Sequence, residues 1–183
     1  FQTQFMANLP TDDIVAENTI SNTFNFQIVT YIDLRQNNSI ESIITNIINI
    51  ISNDNNEARD FAVLASSTKL LRNIDILYRQ RTNEQTEITF ISNETLERLK
   101  QIHQVTDEKA ANWKFNRDFE ALERTRKQLF TTDKRCLKIS TIQSFKGWES
   151  PSVIVILEND IVLHNTTFRP MSPQTIYTAI TRA

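Results

Sequence analysis

Apolar residues follow two alternating patterns along this chain, one typical of buried strands and one of amphipathic helices. Runs rich in β-branched and aromatic residues predict strands at 26–32, 61–65, 88–91, 137–142 and 153–157. Between them, apolar residues spaced three and four apart predict helices over 40–51 and 70–78. Asn38 and Glu41 have the spacing of a capping box for the first of these helices.

The segment 94–130 is charged and has helical spacing, with a break near 105–107. Its large apolar residues are interpreted as core anchors, with base-stacking platforms as the alternative: Trp113, Phe119 and Leu122. A last helix is predicted from Ser172–Pro173, because proline is tolerated in a first turn. Residues 1–24 are polar and irregular. Strands alternating with helices then predict a single α/β domain over 1–183 with a mostly parallel sheet.

Gly147 is the only glycine in the chain, where average usage would give roughly a dozen. Both common glycine-rich phosphate loops need at least two glycines, so neither occurs here. Glycine reaches positive φ at low cost and lets a ligand approach the backbone. With Lys146 before it and Glu149 after it, a phosphate or ribose contact is one interpretation, and a simple strand-to-helix turn is the other.

The formal net charge of −2 gives no overall basic field for nucleic acid. Basic residues do cluster over 124–138, which indicates either a solvated face or a local nucleic-acid patch. The single cysteine excludes a disulfide framework, and the two histidines lie too far apart to suggest a metal pair. Without a signal-peptide pattern or a membrane-spanning run, a cytoplasmic setting is expected. Since the chain opens on Phe1, we expect a fragment of a longer protein.

Two segments near the end of the chain carry a family resemblance. Thr141-Ile-Gln-Ser-Phe-Lys-Gly-Trp-Glu149 and Ile176-Tyr-Thr-Ala-Ile-Thr-Arg-Ala183 resemble motifs V and VI of the UvrD/PcrA/Rep group of superfamily 1 helicases. Upstream, 33–37 is similar to motif IV, and 61–68 resembles the strand and DNA-contacting loop that follow it. The order and spacing of these motifs agree over about residues 26–183.

The resemblance implies a RecA-like domain, the second motor domain of an ATP-dependent DNA helicase. In that family the first motor domain carries the phosphate-binding loop. The resemblance therefore implies ATP with Mg²⁺ as cofactor, with the Mg²⁺ ligands expected from that first domain. The implied partners are single-stranded DNA and the N-terminal motor domain of the same protein. The helices of 94–130 stand where relatives insert a large extra domain.

Matching positions imply roles for individual residues. Arg35 and Arg182 would be catalytic and reach the γ-phosphate, where a forked, permanently charged donor neutralises developing charge. The implied nucleotide-binding residues are Gly147, Glu149 and Lys146, and the implied nucleic-acid contacts are Thr141, Gln143, Ser66 and Thr68. Because ligands of open α/β sheets bind at the carboxyl ends of strands, both arginines, Gly147 and Glu149 are expected to converge at that edge.

Other interpretations of the same residues stay open. Arg35 fits a surface salt bridge, and Arg182 fits a charge placed at a helix C-terminus. Glu158 is interpreted as structural rather than catalytic. Two positions depart from the family pattern, Leu34 at the usual motif IV tyrosine and Gln143 at the usual motif V histidine. The main alternative function is a non-enzymatic RecA-like module that binds nucleic acid or protein. A free-standing nucleotide-binding domain is disfavoured by the missing phosphate loop.

Overall fold

The computed structural model describes residue 32 and residues 39–53, 57–106, 112–157 and 171–182. All of them belong to one compact unit of the chain, Tyr31–Ala183. Several sequence-based predictions lie outside the described residues and stay predictions. They are the irregular segment 1–24, the strand at 26–32 apart from Ile32, and the assignments to Leu34, Arg35, Asn38 and Glu158.

Helices and strands alternate along the described chain. They are α1 (Ile40–Asn53), a 3-10 turn (Ala58–Asp60), β1 (Phe61–Ala65), α2 (Thr68–Thr82), β2 (Thr86–Ile88), α3 (Asn93–His103), α4 (Trp113–Leu129), β3 (Leu137–Thr141), β4 (Ser152–Val155) and α5 (Pro173–Ile180). The strands form a parallel sheet in the order β2-β3-β1-β4. This confirms the predicted α/β class and is consistent with a RecA-like fold.

Strand β1 lies inside the sheet and is buried at all five positions. Its Val63 is paired with Ile139 of β3 on one side and with Ile154 of β4 on the other. Alternate residues face opposite layers: Val63 packs with the apolar residues of α1 and α2, and Leu64 packs with Ala179 of α5. Burial on both faces explains the unbroken apolar run of this strand.

Serine hydroxyls mark the beginnings of four of the five described helices. Ser67, Ser92 and Ser172 each occupy the N-cap of a helix and accept a hydrogen bond from a backbone amide three residues ahead. Pro173 is the first residue of α5, which confirms the predicted start of this helix. At α1, the Ser39 hydroxyl accepts from the Ser42 amide at 3.2 Å.

The predicted position of β2 was wrong by two residues. The prediction placed a strand at 88–91, whereas the observed strand is Thr86–Ile88. Phe90 and Ile91 are buried, but Ile91 packs in the cluster formed with α3 and α4. The Arg72 guanidinium donates from Nε to the Ile91 carbonyl at 2.9 Å, which holds this segment after it has left the sheet. The apolar residues Phe90 and Ile91 are therefore buried without belonging to a strand.

The core interpretation of Trp113 and Leu122 was also wrong. Trp113 is 65% exposed, and Leu122 is exposed as well. Phe119 does pack partly against the cluster between α3 and α4, in which Phe115 is fully buried. Because each helical residue turns by about 100°, Trp113 lies about 200° from Phe115, on the opposite side of α4.

The isoleucine stripe of α1 gives a direct test of this packing. Ile47 is 2% exposed and packs against α2 and the sheet, so Ile47→Ala should lower the free energy of unfolding by about 3 kcal/mol. Ile102 on α3 is 67% exposed, and Ile102→Ala should change it by less than about 0.5 kcal/mol. Urea denaturation of both variants measures the difference, and equal losses would contradict the described core.

Candidate functional site

The turn that follows β3 has two different sides. Ile142, Phe145 and Trp148 recur at every third position and face the core. Phe130 holds the turn there, with its ring centre 6.2 Å from that of Phe145 and 5.4 Å from that of Trp148. The polar residues between them, Gln143 and Lys146, are therefore exposed.

Thr141 closes the first part of this turn. Its hydroxyl accepts a hydrogen bond from the Ser144 amide at 3.1 Å and donates to the Ser144 hydroxyl at 2.9 Å. Its carbonyl accepts from the Phe145 amide at 3.0 Å. These contacts fix the first bend of the turn, and the exposed Gln143 lies within that bend.

The residues predicted to contact nucleic acid come together at the carboxyl edge of the sheet. Ala65 is paired with Thr141, and the Ala65 carbonyl accepts from the Ile142 amide at 3.1 Å. Ser66 follows β1 directly and is exposed, and Thr68 begins α2 at the same edge. Together with Gln143 they form a polar surface on two neighbouring strand ends, which we name the carboxyl-edge surface (Ser66, Thr68, Thr141 and Gln143).

A glycine is required at position 147 by the backbone conformation and not by crowding around it. Its φ is +95°, a region that residues with a side chain rarely adopt. A Cβ atom placed on Gly147 would meet nothing within 4 Å. The glycine therefore turns the backbone between Phe145 and Ser150 and leaves an exposed, unobstructed main chain.

Ser150 joins the loop to two other elements. Its amide donates to the Arg182 carbonyl at 3.1 Å, and its hydroxyl donates to the Asp60 carbonyl at 3.0 Å. Arg182 follows the end of α5, so the predicted catalytic arginine and the predicted ribose residue Glu149 lie on directly connected segments. The Nε atom of Arg182 is buried and has no hydrogen-bond partner among the described residues.

The expected location of Glu149 and the main chain of Arg182 at the carboxyl edge was wrong. Asp60 immediately precedes β1, so Ser150 and its neighbour Glu149 lie at the amino edge. The physical reason is that β4 is parallel to β3, and the chain must return to the amino edge before β4 begins at Ser152. Arg35 lies outside the described residues, and its convergence with Arg182 stays a prediction.

Charged side chains surround a pocket of about 200 Å³ beside Glu149. Lys138 is 2% exposed, its ammonium donates to the Arg59 carbonyl, and burial lowers its pKa below the ordinary lysine value. Lys134 pairs with Glu87 at 2.6 Å. Asp60, Asp133 and Glu149 also line the pocket, so it carries both signs of charge.

Sequence reasoning missed Ser150 and Lys138. Lys138 alternates with apolar residues in β3, a pattern that is typical of an exposed face, and no local signal indicated its burial. Ser150 belongs to no periodic pattern.

The basic residues of 124–138 lie in two different places. Arg124, Arg126 and Lys127 are exposed on α4, whereas Lys134 pairs with Glu87 of β2 and Lys138 donates to the Arg59 carbonyl.

Comparisons with protein families, with curated proteins and with solved structures give no match to this chain. Within the described ranges, no helix is long and apolar enough to cross a bilayer. The same residues include no group of three or more His, Cys, Asp or Glu side chains placed to hold a metal ion.

Replacing Gly147 tests the need for positive φ. Gly147→Ala should lower the free energy of unfolding by about 1–2 kcal/mol, because an L-residue is strained there despite the open space. Lys146→Ala, at the exposed neighbouring position, should change it by no more than about 0.5 kcal/mol. Thermal and urea unfolding of the two variants provide the measurement, and a silent Gly147→Ala would show that the loop accepts other conformations.

Proposed function

We propose that this chain is the C-terminal motor domain of an ATP-dependent DNA helicase or translocase that acts in the cytoplasm. In this proposal the domain completes an ATP site and contacts single-stranded DNA. The observation that carries it is the Ser150–Arg182 connection, which brings the end of α5 to the loop of Gly147 and Glu149. The buried Arg182 Nε without a partner among the described residues supports an anionic ligand at this position.

The proposed nucleotide site uses the exposed end of the turn after β3. Arg182, together with Arg35, would neutralise charge on the γ-phosphate during its transfer. Glu149 would accept hydrogen bonds from the ribose, and Lys146 and the main chain at Gly147 would lie toward the phosphates. The phosphate-binding loop and the Mg²⁺ ligands would come from an N-terminal motor domain. ATP with Mg²⁺ would therefore bind between two domains.

The carboxyl-edge surface is the proposed contact with single-stranded DNA. Its hydroxyl and amide groups suit hydrogen bonds to phosphates and sugars, which do not depend on base sequence. Thr141 and Gln143 begin the same turn that ends at Gly147. A closure of the two domains around ATP would thus act on a segment that also contacts the DNA, which is the coupling that a translocating motor requires.

Residues 1–183 alone should not hydrolyse ATP, because half of the proposed site is missing. Phosphate release should equal that of a buffer blank, and binding of a fluorescent ATP analogue with Mg²⁺ should be weak. Steady turnover by this chain alone, abolished by Arg182→Ala, would contradict the two-domain site.

The decisive test uses a protein in which this chain is joined to its N-terminal motor domain. Arg182→Lys keeps the charge but loses the fork, so DNA-stimulated ATP hydrolysis should fall by roughly a hundredfold or more. Arg98→Lys, at an exposed position on α3, is the matched control and should leave hydrolysis unchanged. Circular dichroism should show equal folding of both variants. Unchanged hydrolysis in Arg182→Lys would contradict the role proposed for Arg182, whereas no DNA-stimulated hydrolysis by the native joined protein would favour the non-enzymatic RecA-like module.

A further inference from the structure

We propose that the outward face of α4 is a second binding surface for single-stranded nucleic acid, separate from the carboxyl-edge surface. At about 100° per residue, Trp113, Arg117 and Arg124 fall within about 40° of one another around the helix axis. Phe115 lies on the opposite side and is fully buried in the cluster with α3. The face of α4 that carries Trp113 is therefore turned away from that cluster. Trp113, Arg117 and Arg124 are all exposed.

Trp113 combines an accessible ring with two cations. The Lys114 ammonium lies 5.8 Å from the ring centre, and the Arg117 guanidinium carbon lies 5.4 Å from it. Both cations lie over the ring and are exposed, so a base can stack on Trp113 by displacing one of them, which then neutralises a flanking phosphate. Aromatic rings combined with cations are the arrangement by which proteins hold single strands without reading sequence.

The basic character continues along the helix. Arg124 and Lys127 are exposed about two and about three turns beyond Arg117. One acid, Glu120, lies among them, and Arg117 also pairs with Asp118 at 3.0 Å. Within about 40° of Trp113 around the helix axis, three cations (Arg117, Arg124 and Lys127) lie with one acid (Glu120), a balance that complements the charge of a polyanionic backbone.

The chemistry of the face favours a single strand over a protein partner or a duplex. A protein interface would need a contiguous apolar patch, whereas the other strongly exposed apolar residue of α4, Leu129, lies about 160° from Trp113 around the helix. In a duplex the bases are already stacked on one another and are not available to Trp113. In addition, α4 packs against α3, and α3 begins just after the carboxyl end of β2, at the edge of the sheet that carries the proposed DNA contacts. Only this last point rests on the proposed function.

Trp113 can serve as its own reporter, because the chain contains just one other tryptophan, Trp148. Trp148→Phe keeps a ring against Phe130 and leaves Trp113 as the sole tryptophan fluorophore. A single-stranded oligothymidylate of about twelve nucleotides, a length that single-strand-binding folds cover, should then quench the emission of residues 1–183. In the otherwise native chain, Trp113→Ala should weaken binding of the labelled oligonucleotide about tenfold by fluorescence anisotropy.

Matched controls separate stacking from general attraction. Leu129→Ala changes an equally exposed residue of the same helix and should leave affinity unchanged. Trp113→Phe should restore part of the affinity lost in Trp113→Ala, and Arg124→Ala should reduce the salt dependence of binding. A duplex of equal length and poly-glutamate should quench little.

Three results would overturn the proposal. They are oligonucleotide binding without quenching of Trp113, equal losses in Trp113→Ala and Leu129→Ala, and equal quenching by duplex or poly-glutamate. Binding that is lost in Gln143→Ala while Trp113 stays unquenched would place the single strand on the carboxyl-edge surface alone. Because no ATP is present, these outcomes are independent of the Arg182→Lys result and can fail separately from the proposed motor function.

Discussion

The return of the chain from β3 to β4 is the constraint on which the candidate site depends. Strands β3 and β4 lie on either side of β1 and run parallel to it. Residues 142–151 must therefore lead from the carboxyl edge of the sheet back to its amino edge. Parallel strands usually need a connection of a dozen or more residues that includes a helix. Here a turn held by Ile142, Phe145 and Trp148 makes the passage, and it therefore has polar residues at both edges of the sheet.

Where this segment reaches the amino edge of the sheet, it is held by Ser150 rather than by apolar packing. Its two hydrogen bonds connect the loop to the start of β1 at Asp60 and to the end of α5 at Arg182. A buried polar atom without a partner costs about 1–3 kcal/mol, and Arg182 Nε has none among the residues that the structure describes, so an added acceptor there would be favourable. Under the proposed function, a nucleotide phosphate would be that acceptor.

The parts of the fold that were predictable are those where periodicity and burial agree. The boundaries of β1 were predicted correctly, and those of α1 nearly so, because β1 is buried on both faces and α1 has a single apolar stripe. Strand β2 lies at the edge of the sheet, and its Thr86 and Glu87 give no apolar signal. The prediction therefore moved to Phe90, which is buried in the main core, and to Ile91, which is buried with α3 and α4. Trp113 was assigned to the core because residue type alone does not specify a helix face.

The candidate site was only partly predictable for a related reason. The carboxyl-edge surface follows from strand order, since residues after two neighbouring parallel strands must lie close together. The placement of Glu149 at the opposite edge depends on the direction of β4 and on the hydrogen bonds of Ser150, and neither leaves a local pattern. Motif spacing indicated which residues belong together but not at which edge of the sheet they meet.

The spacing of the turn after β3 has a consequence for how this segment tolerates change during evolution. Its outward residues, Gln143 and Lys146, can be exchanged without disturbing the core, because they point to solvent. A single inserted or deleted residue would instead shift every later position relative to Ile142 and move Trp148 away from Phe130. It would also displace Ser150 from both of its carbonyl partners. The fold should therefore tolerate changes at Gln143 and Lys146 while the length of the segment stays invariant.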